Sequence, residues 1–198
     1  ENNADWGYAR VSYMDTHGQP LGRLADARVA ALMAAQNATV MSCTLGLAML
    51  RANSAISSGN LMFRKRLWET LGGFCDYRYN NDWDFCLRAT LQCEPVLVPH
   101  PLYEYRIHDR NTITEAAGNP RMEHGKVMAA FVSLAQNQST WPNPFAPTFA
   151  NWGGEFLALL GATDAVQHLP IELIEQALQV PLSLTPSNRI GEVSCEFL

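Results

Sequence analysis

The hydrophobic and polar positions change period several times along the chain, and each change marks an element. Residues 5–14, DWGYARVSYM, alternate loosely and are rich in Trp, Tyr and Val, which predicts a strand. Asp15 to Gly18 and Gln19 to Gly22 predict a turn and its exit. Leu24 to Met33 is Ala-rich and predicts a helix, and the apolar run from Ala38 to Leu50 predicts its continuation. Ser54 to Met62 is small and polar, a loop entering a short strand at Leu61 to Phe63. Arg64 to Leu71 predicts a helix closed by Gly72 in the left-handed conformation. After turn formers at Asp76 to Asn81, the 3.6-residue period returns over Asp82 to Gln92, with Asp82, Phe85, Cys86 and Ala89 on one face. Glu94-Pro95 ends that helix. Val96 to Val98 and Leu102 to Ile107 predict two strands around a turn at His100-Pro101. Further on, Glu123 to Gln136 is amphipathic, anchored by Val127, Phe131 and Leu134. Prolines 142, 144 and 147 make Trp141 to Pro147 a rigid loop. Phe156 to Leu160, capped by Gly161, and Pro170 to Leu178 predict two last helices. The order is an α/β pattern followed by a mostly helical extension.

Composition narrows the picture. A chain of 198 residues with 47% hydrophobic positions suffices for one domain with a real core and a small extension. The net charge is −5 and no basic cluster exceeds Arg64-Lys65-Arg66, which argues against a nucleic-acid partner. The five cysteines are odd in number and form no C-x-x-C pair, which predicts a reducing compartment without a disulfide framework or structural zinc site. Val29 to Ala52 has the length of a membrane span. It carries Gln36, Asn37, Thr39 and Thr44 and is rich in Ala, so it reads as a buried or interfacial helix pair.

The candidate chemistry lies at the start of the helix that begins at Asp82. Asn81 and Asp82 there can satisfy free N–H groups. The helix dipole keeps an acid at this place ionised, and an ionised acid at the mouth of a pocket can serve as a general base. Asp84 precedes Arg88 by four residues, the spacing of a helix ion pair. Asp84 therefore has a structural role available, while Asp82 has only capping, and Asp82 is the candidate base. The small residues Ser57, Ser58 and Gly59, followed by Asn60, fit either a plain turn or a close approach of ligand to backbone. His108 to Asn111 is a polar cluster after an aromatic strand, where sites tend to lie. His108 fits a metal ligand, a phosphate contact or a bystander. Arg106 fits a phosphate contact or the partner of a core acid. Two acids and a His also suit a metal-dependent nuclease or hydrolase, a reading that leaves the Gly-Gly-Phe and Tyr-Arg-x-His stretches unexplained.

In order and spacing, Ser57-Ser58-Gly59-Asn60, Phe63-Arg64-Lys65-Arg66, Gly72-Gly73-Phe74, Asp82-Trp83-Asp84 with Arg88, Tyr105-Arg106-Ile107-His108 and Asn111-Thr112 resemble the acceptor-side half of a family-two glycosyltransferase of the GT-A fold. The resemblance is dense over residues 55–115 and thinner over 5–54. It implies that residues 1–120 are the C-terminal part of a GT-A (nucleotide-diphospho-sugar transferase-like) α/β domain and 121–198 a helical extension. It implies inverting transfer of a sugar from a nucleotide-sugar donor to a hydroxyl of a glycan or lipid-linked acceptor. Bacterial polysaccharide or surface-glycan synthesis, in the cytoplasm and close to the inner face of the membrane, is the implied setting. Asp82 matches the catalytic base. Ser58, Gly59, Asn60, Trp83 and Arg106 match substrate contacts, and His108 matches a ligand of a divalent Mn2+ or Mg2+. No Asp-x-Asp precedes the first strand, so the nucleotide-binding half is expected upstream of this chain and the fragment alone is expected to be inactive. A non-catalytic carbohydrate-binding or scaffolding module is the alternative.

Overall fold

The first strand, β1 (Trp6–Met14), forms as expected and lies at the centre of a small mixed sheet. The computed structural model describes residues 4–111, 120–138, 140–162, 171, 172 and 175, and it is mixed α/β. β2 (Leu61–Phe63) runs antiparallel to the first half of β1, and β3 (Val96–Arg106) runs parallel along its other side. β3 is one strand, not the two that Pro99 and Pro101 suggest. The pairing jumps from Ala9–Val98 to Arg10–Pro101 and then to Val11–Tyr103, so Pro99 falls in a bulge of an edge strand and Pro101 between its two irregularities. There their missing N–H groups are tolerated.

The opposite edge of β1 is completed by side chains. β2 pairs only as far as Tyr8. From Ala9 onward two buried carboxamides take the place of a strand. Asn60 accepts from the Ala9 N–H at 3.1 Å and donates to the Ala9 and Ala55 carbonyls, both at 2.9 Å. Gln36 accepts from the Val11 N–H at 3.2 Å and donates to the Ala9 and Ser54 carbonyls. Buried backbone groups must find partners, and an amide offers a donor and an acceptor in the spacing of a peptide.

Alternate residues of β1 feed two cores, because successive side chains point to opposite faces. Val11 and Tyr13 pack with Val29 and Leu32 of α1 (Ala27–Asn37), whose start is capped by the Asp26 carboxylate on the Arg28 N–H. Trp6 and Tyr8 join the larger cluster, with α2 (Leu45–Arg51), α3 (Lys65–Leu71) and α4 (Asn81–Thr90). The expected continuous helix over Ala38 to Leu50 does not form. A short 3-10 turn at Ala38–Met41 is followed by a break, and α2 restarts where the Thr44 hydroxyl accepts from the Leu47 N–H. That cap outweighs the apolar run. Among the described residues no helix is long and apolar enough to cross a membrane.

The described part of the extension is laid on the same large core. α5 (Pro120–Gln136) supplies Val127, Met128, Phe131 and Val132, and α6 (Phe149–Ala162) supplies Phe156 and Leu160. Each such fully buried apolar side chain contributes roughly 1.5–3 kcal/mol. α6 bends at Gly153, whose φ is 39°, and runs past Gly161 instead of ending there. The helix expected over Pro170 to Leu178 lies outside the described residues, apart from three isolated positions.

Candidate functional site

α4 is set in place from both ends. Its partner helix α3 closes at Gly72, with φ 71°, and the chain turns through Gly73 into Phe74. Arg88 binds that turn: its guanidinium donates to the Leu71 carbonyl at 2.6 Å and the Gly73 carbonyl at 2.8 Å. The same guanidinium, itself partly exposed, pairs with the buried Asp84 at 2.6 Å. The structural role expected for Asp84 is therefore filled, and the Gly-Gly-Phe stretch is held by the helix it precedes. Phe74 packs edge-on against Trp68 and against Phe85 of α4.

Asp82, one turn-face away, meets a different environment. Its Oδ1 accepts from the Trp83 N–H at 2.7 Å and from the Asn53 side-chain amide at 3.2 Å. The Ser58 backbone N–H faces the carboxylate and favours its charged form. Burial is the largest influence on this acid and pushes its pKa from 3.8 up to about 6, against the backbone N–H bonds from Trp83, Asp82 itself and Ser58 that favour the charge. At neutral pH such a carboxylate is mostly ionised yet is a better proton acceptor than an ordinary Asp.

The loop facing Asp82 is strained. Ile56 has φ 71°, the left-handed region that a β-branched residue enters at a cost of about 1–3 kcal/mol. Asn53 over-determines it: its Oδ1 accepts from the Ala55 N–H, its carbonyl accepts from the Ile56 N–H, and its Nδ2 reaches Asp82. Beyond Ile56, the Ser57 hydroxyl caps the short turn Ser58–Asn60 and lies 3.4 Å from the Tyr103 hydroxyl. Tyr103 and Tyr105 alternate along β3 and so share a face. The Tyr105 hydroxyl accepts from the Asn111 amide at 3.4 Å, and the negative charge of Asp82 adds to burial and Tyr103 in holding the Tyr105 phenol above its usual pKa. Asp82, Asn53, Ser57, Ser58, Tyr103 and Tyr105 thus form one polar corner.

The residues singled out from the sequence divide around this corner. Asp82, Ser58 and Gly59 are in it, and Ser58 and Gly59 are exposed. On one side Gly59 makes room for a tyrosine: a Cβ there would fall 2.5 Å from the Tyr103 hydroxyl. Asn60 is buried with its amide engaged on Ala9 and Ala55, and it brackets the sheet instead of facing a ligand. Trp83 is 2% exposed, its indole N–H donates to the Met49 carbonyl at 2.7 Å, and it lines the core rather than an acceptor wall. Arg106 lies away from this corner. It projects from the alternate face of β3 and donates to the Asp15 and Thr16 carbonyls at 3.0 and 3.2 Å, tying the turn after β1 to the end of β3.

His108 opens the loop after β3: its Nδ1 accepts from the Arg110 N–H at 3.1 Å, and its Nε2 lies 3.5 Å from the Asn111 amide. Among the described residues no group of three or more His, Cys, Asp or Glu stands close enough together to hold a metal. Two surface hollows lie elsewhere: one of about 330 Å³ beside Trp6, Phe63 and Val96, and one of about 480 Å³ between Arg23, Met33, Met41 and Arg51. Asp82 lines neither.

Asn53, Tyr103 and Tyr105 are members of the corner that sequence reasoning passed over. The alternation of the two tyrosines was the available signal for a shared face. Asn53 carried none, because its role comes from a contact 29 residues away. Compared with protein-family models, curated proteins and solved structures, the chain matches none.

Proposed function

We propose that this chain is the acceptor-side half of a GT-A glycosyltransferase site, acting by inverting transfer of a sugar from a nucleotide-sugar donor to an acceptor hydroxyl. The observation that carries the reading is Asp82: a carboxylate desolvated to a pKa of about 6, at the start of a helix, against a strained loop. The motif order from Ser57 to Thr112 supports it independently. In the reaction, the acceptor oxygen forms its bond to the anomeric carbon as the bond to the diphosphate breaks, and the acceptor proton passes to the Asp82 carboxylate. A positioned general base contributes roughly a hundred- to ten-thousand-fold. The Asn53 amide and the Trp83 N–H hold the carboxylate in orientation, and the hydroxyls of Ser57 and Tyr103 lie on the same rim as polar partners for an acceptor sugar.

The divalent Mn2+ or Mg2+ that such donors use would neutralise the diphosphate. In this proposal part of its coordination comes from the donor-binding half, with His108 as the candidate ligand from this chain. The test is nucleotide release from a panel of UDP- and GDP-sugars with Mn2+, wild type beside Asp82→Asn, in the intact protein. The reading predicts release with one donor by wild type and loss of that release in a folded variant. Release unchanged by Asp82→Asn would remove Asp82 as the base. Saturable glycan binding with no release from any donor would move the chain to the non-catalytic carbohydrate-binding module.

A further inference from the structure

α5 meets the start of α4 with two adjacent side chains. The Glu123 carboxylate accepts from the backbone N–H groups of Arg78, Tyr79 and Asn80 at 2.9, 2.6 and 2.7 Å, and from the Asn80 side-chain amide at 3.3 Å. Three successive N–H groups turned on one anion form a nest, and bonds of this kind to an ionised acceptor are the strong ones. Burial alone would raise the Glu123 pKa, but the bonds from Tyr79, Arg78 and Asn80 outweigh it and hold the carboxyl below its usual range. Asn80 is the residue from which α4 starts. Its carbonyl accepts from the Asp84 N–H at 2.9 Å, and its side chain makes no cap bond to the helix. The next residue of α5, His124, lies against the Trp83 ring at 4.5 Å between centroids, and Trp83 is fixed in turn by the Met49 carbonyl. Asp82 sits between Asn80 and Trp83, so α5 grips the chain on both sides of it.

We propose that Glu123 is a positioning residue for Asp82: its carboxylate fixes the turn ahead of α4 and thereby the place at which Asp82 is presented between Asn53 and Ser58. The inference rests on the reading of Asp82 as the working base, and it adds a function for the extension, whose first described helix completes the site. A carboxylate is required because every group facing it is a donor. In Glu123→Gln one oxygen becomes an NH2 group and meets donors with a donor. Glu123→Asp keeps the charge on a side chain one methylene shorter and reaches only part of the nest.

The experiment measures three quantities in the intact protein for wild type, Glu123→Gln and Glu123→Asp: kcat and KM, the thermal midpoint, and the titration of the Asp82 carboxyl followed by 13C NMR without substrate. Glu123→Gln is expected to lower kcat about tenfold with KM for the acceptor within about twofold. The Asp82 midpoint is expected to move from near 6 toward that of an ordinary carboxylate as water reaches it. Glu123→Asp is expected to lie between the two on both readouts. Should Glu123→Gln fail to fold, the graded response of Glu123→Asp decides. A lowered thermal midpoint with the Asp82 titration and kcat unmoved overturns the proposal and leaves Glu123 an ordinary structural contact. A shifted Asp82 titration in a protein that turns over no donor supports the positioning role while overturning the enzyme reading, so the two failures are distinguishable.

Discussion

Two helices in this molecule begin beside a partly buried acid, and the two corners have opposite characters. At the start of α2, Glu94 accepts from the Gly46 N–H at 3.0 Å and from the Asn143 amide at 3.0 Å. At the start of α4, Asp82 accepts from the Trp83 N–H and from the Asn53 amide. Burial is the leading cause that raises both pKa values. The Glu94 corner is closed: Asn143 is buried, it also donates to the Thr90 carbonyl at 2.6 Å, and the loop from Trp141 to Thr148 is thereby fastened to α4 and α2. The Asp82 corner has a strained Ile56, an exposed Ser58 and Gly59, and tyrosine hydroxyls on its rim. An acid at a helix start can thus be closed into the fold or held against strained backbone that reaches the surface, and the proposal made for Asp82 rests on the second arrangement.

The comparison can be broken by substitution, and the largest expected effect is on turnover. Asp82→Asn should lower sugar transfer roughly a hundred- to ten-thousand-fold in a folded protein, while Glu94→Gln leaves it within about twofold; equal losses in steady-state assays would erase the distinction between the corners. Next in size is Arg88→Met, which strands the buried Asp84 carboxylate and should cost about 3–5 kcal/mol in denaturant unfolding. A loss below about 1 kcal/mol would mean that Asp84 is not the structural acid of the pair. Glu94→Ala leaves the Gly46 N–H and the Asn143 amide without their acceptor, at about 1–3 kcal/mol for each group left unsatisfied. For a chain of this size each kcal/mol lowers the thermal midpoint by about 2–4 °C. The smallest effect is at Ile56. Replacing it with Gly removes the left-handed strain, about 1–2 kcal/mol, against the chain entropy of glycine at about 0.5–1 kcal/mol and some lost packing. Stability should change by less than about 1 kcal/mol, where the same change at the buried Ile107 would cost several. A large loss at Ile56 would show that the loop is not under strain.

What could be read from the sequence was mostly local. The Gly72 stop, the start of α4 and the Asp84–Arg88 pair depend on residues within a few positions of each other, and all three form. The break at Thr44 was hidden inside an apolar run because one capping hydroxyl decided it. The continuity of β3 was hidden by two prolines, whose tolerance depends on lying at an edge. Asn60 looked like a ligand contact because its partner, the open edge of β1, is 51 residues away. The packing of Trp83 onto the Met49 carbonyl was hidden for the same reason. Within the corner, only the place of Asp82 in the first turn of α4 was legible. Asn53, Tyr103 and the Glu123 nest arise from tertiary packing and leave no periodic trace.

The most direct test of the central claim needs no donor and no acceptor. If Asp82 is ionised in a desolvated corner, its charge costs stability. The acid titrates near 6 in the folded chain and near 3.8 when unfolded, so the folded state binds the extra proton between those values and stability falls as pH rises through that window. Above it the penalty is full, on the order of 2–3 kcal/mol. The measurement is the thermal midpoint of wild type and Asp82→Asn from pH 4 to pH 8. The variant should be the more stable protein at pH 8, with the gap closing as the pH is lowered through 6 toward 4. A variant equal to or less stable than wild type at pH 8, with no change in the gap across the range, would contradict the account.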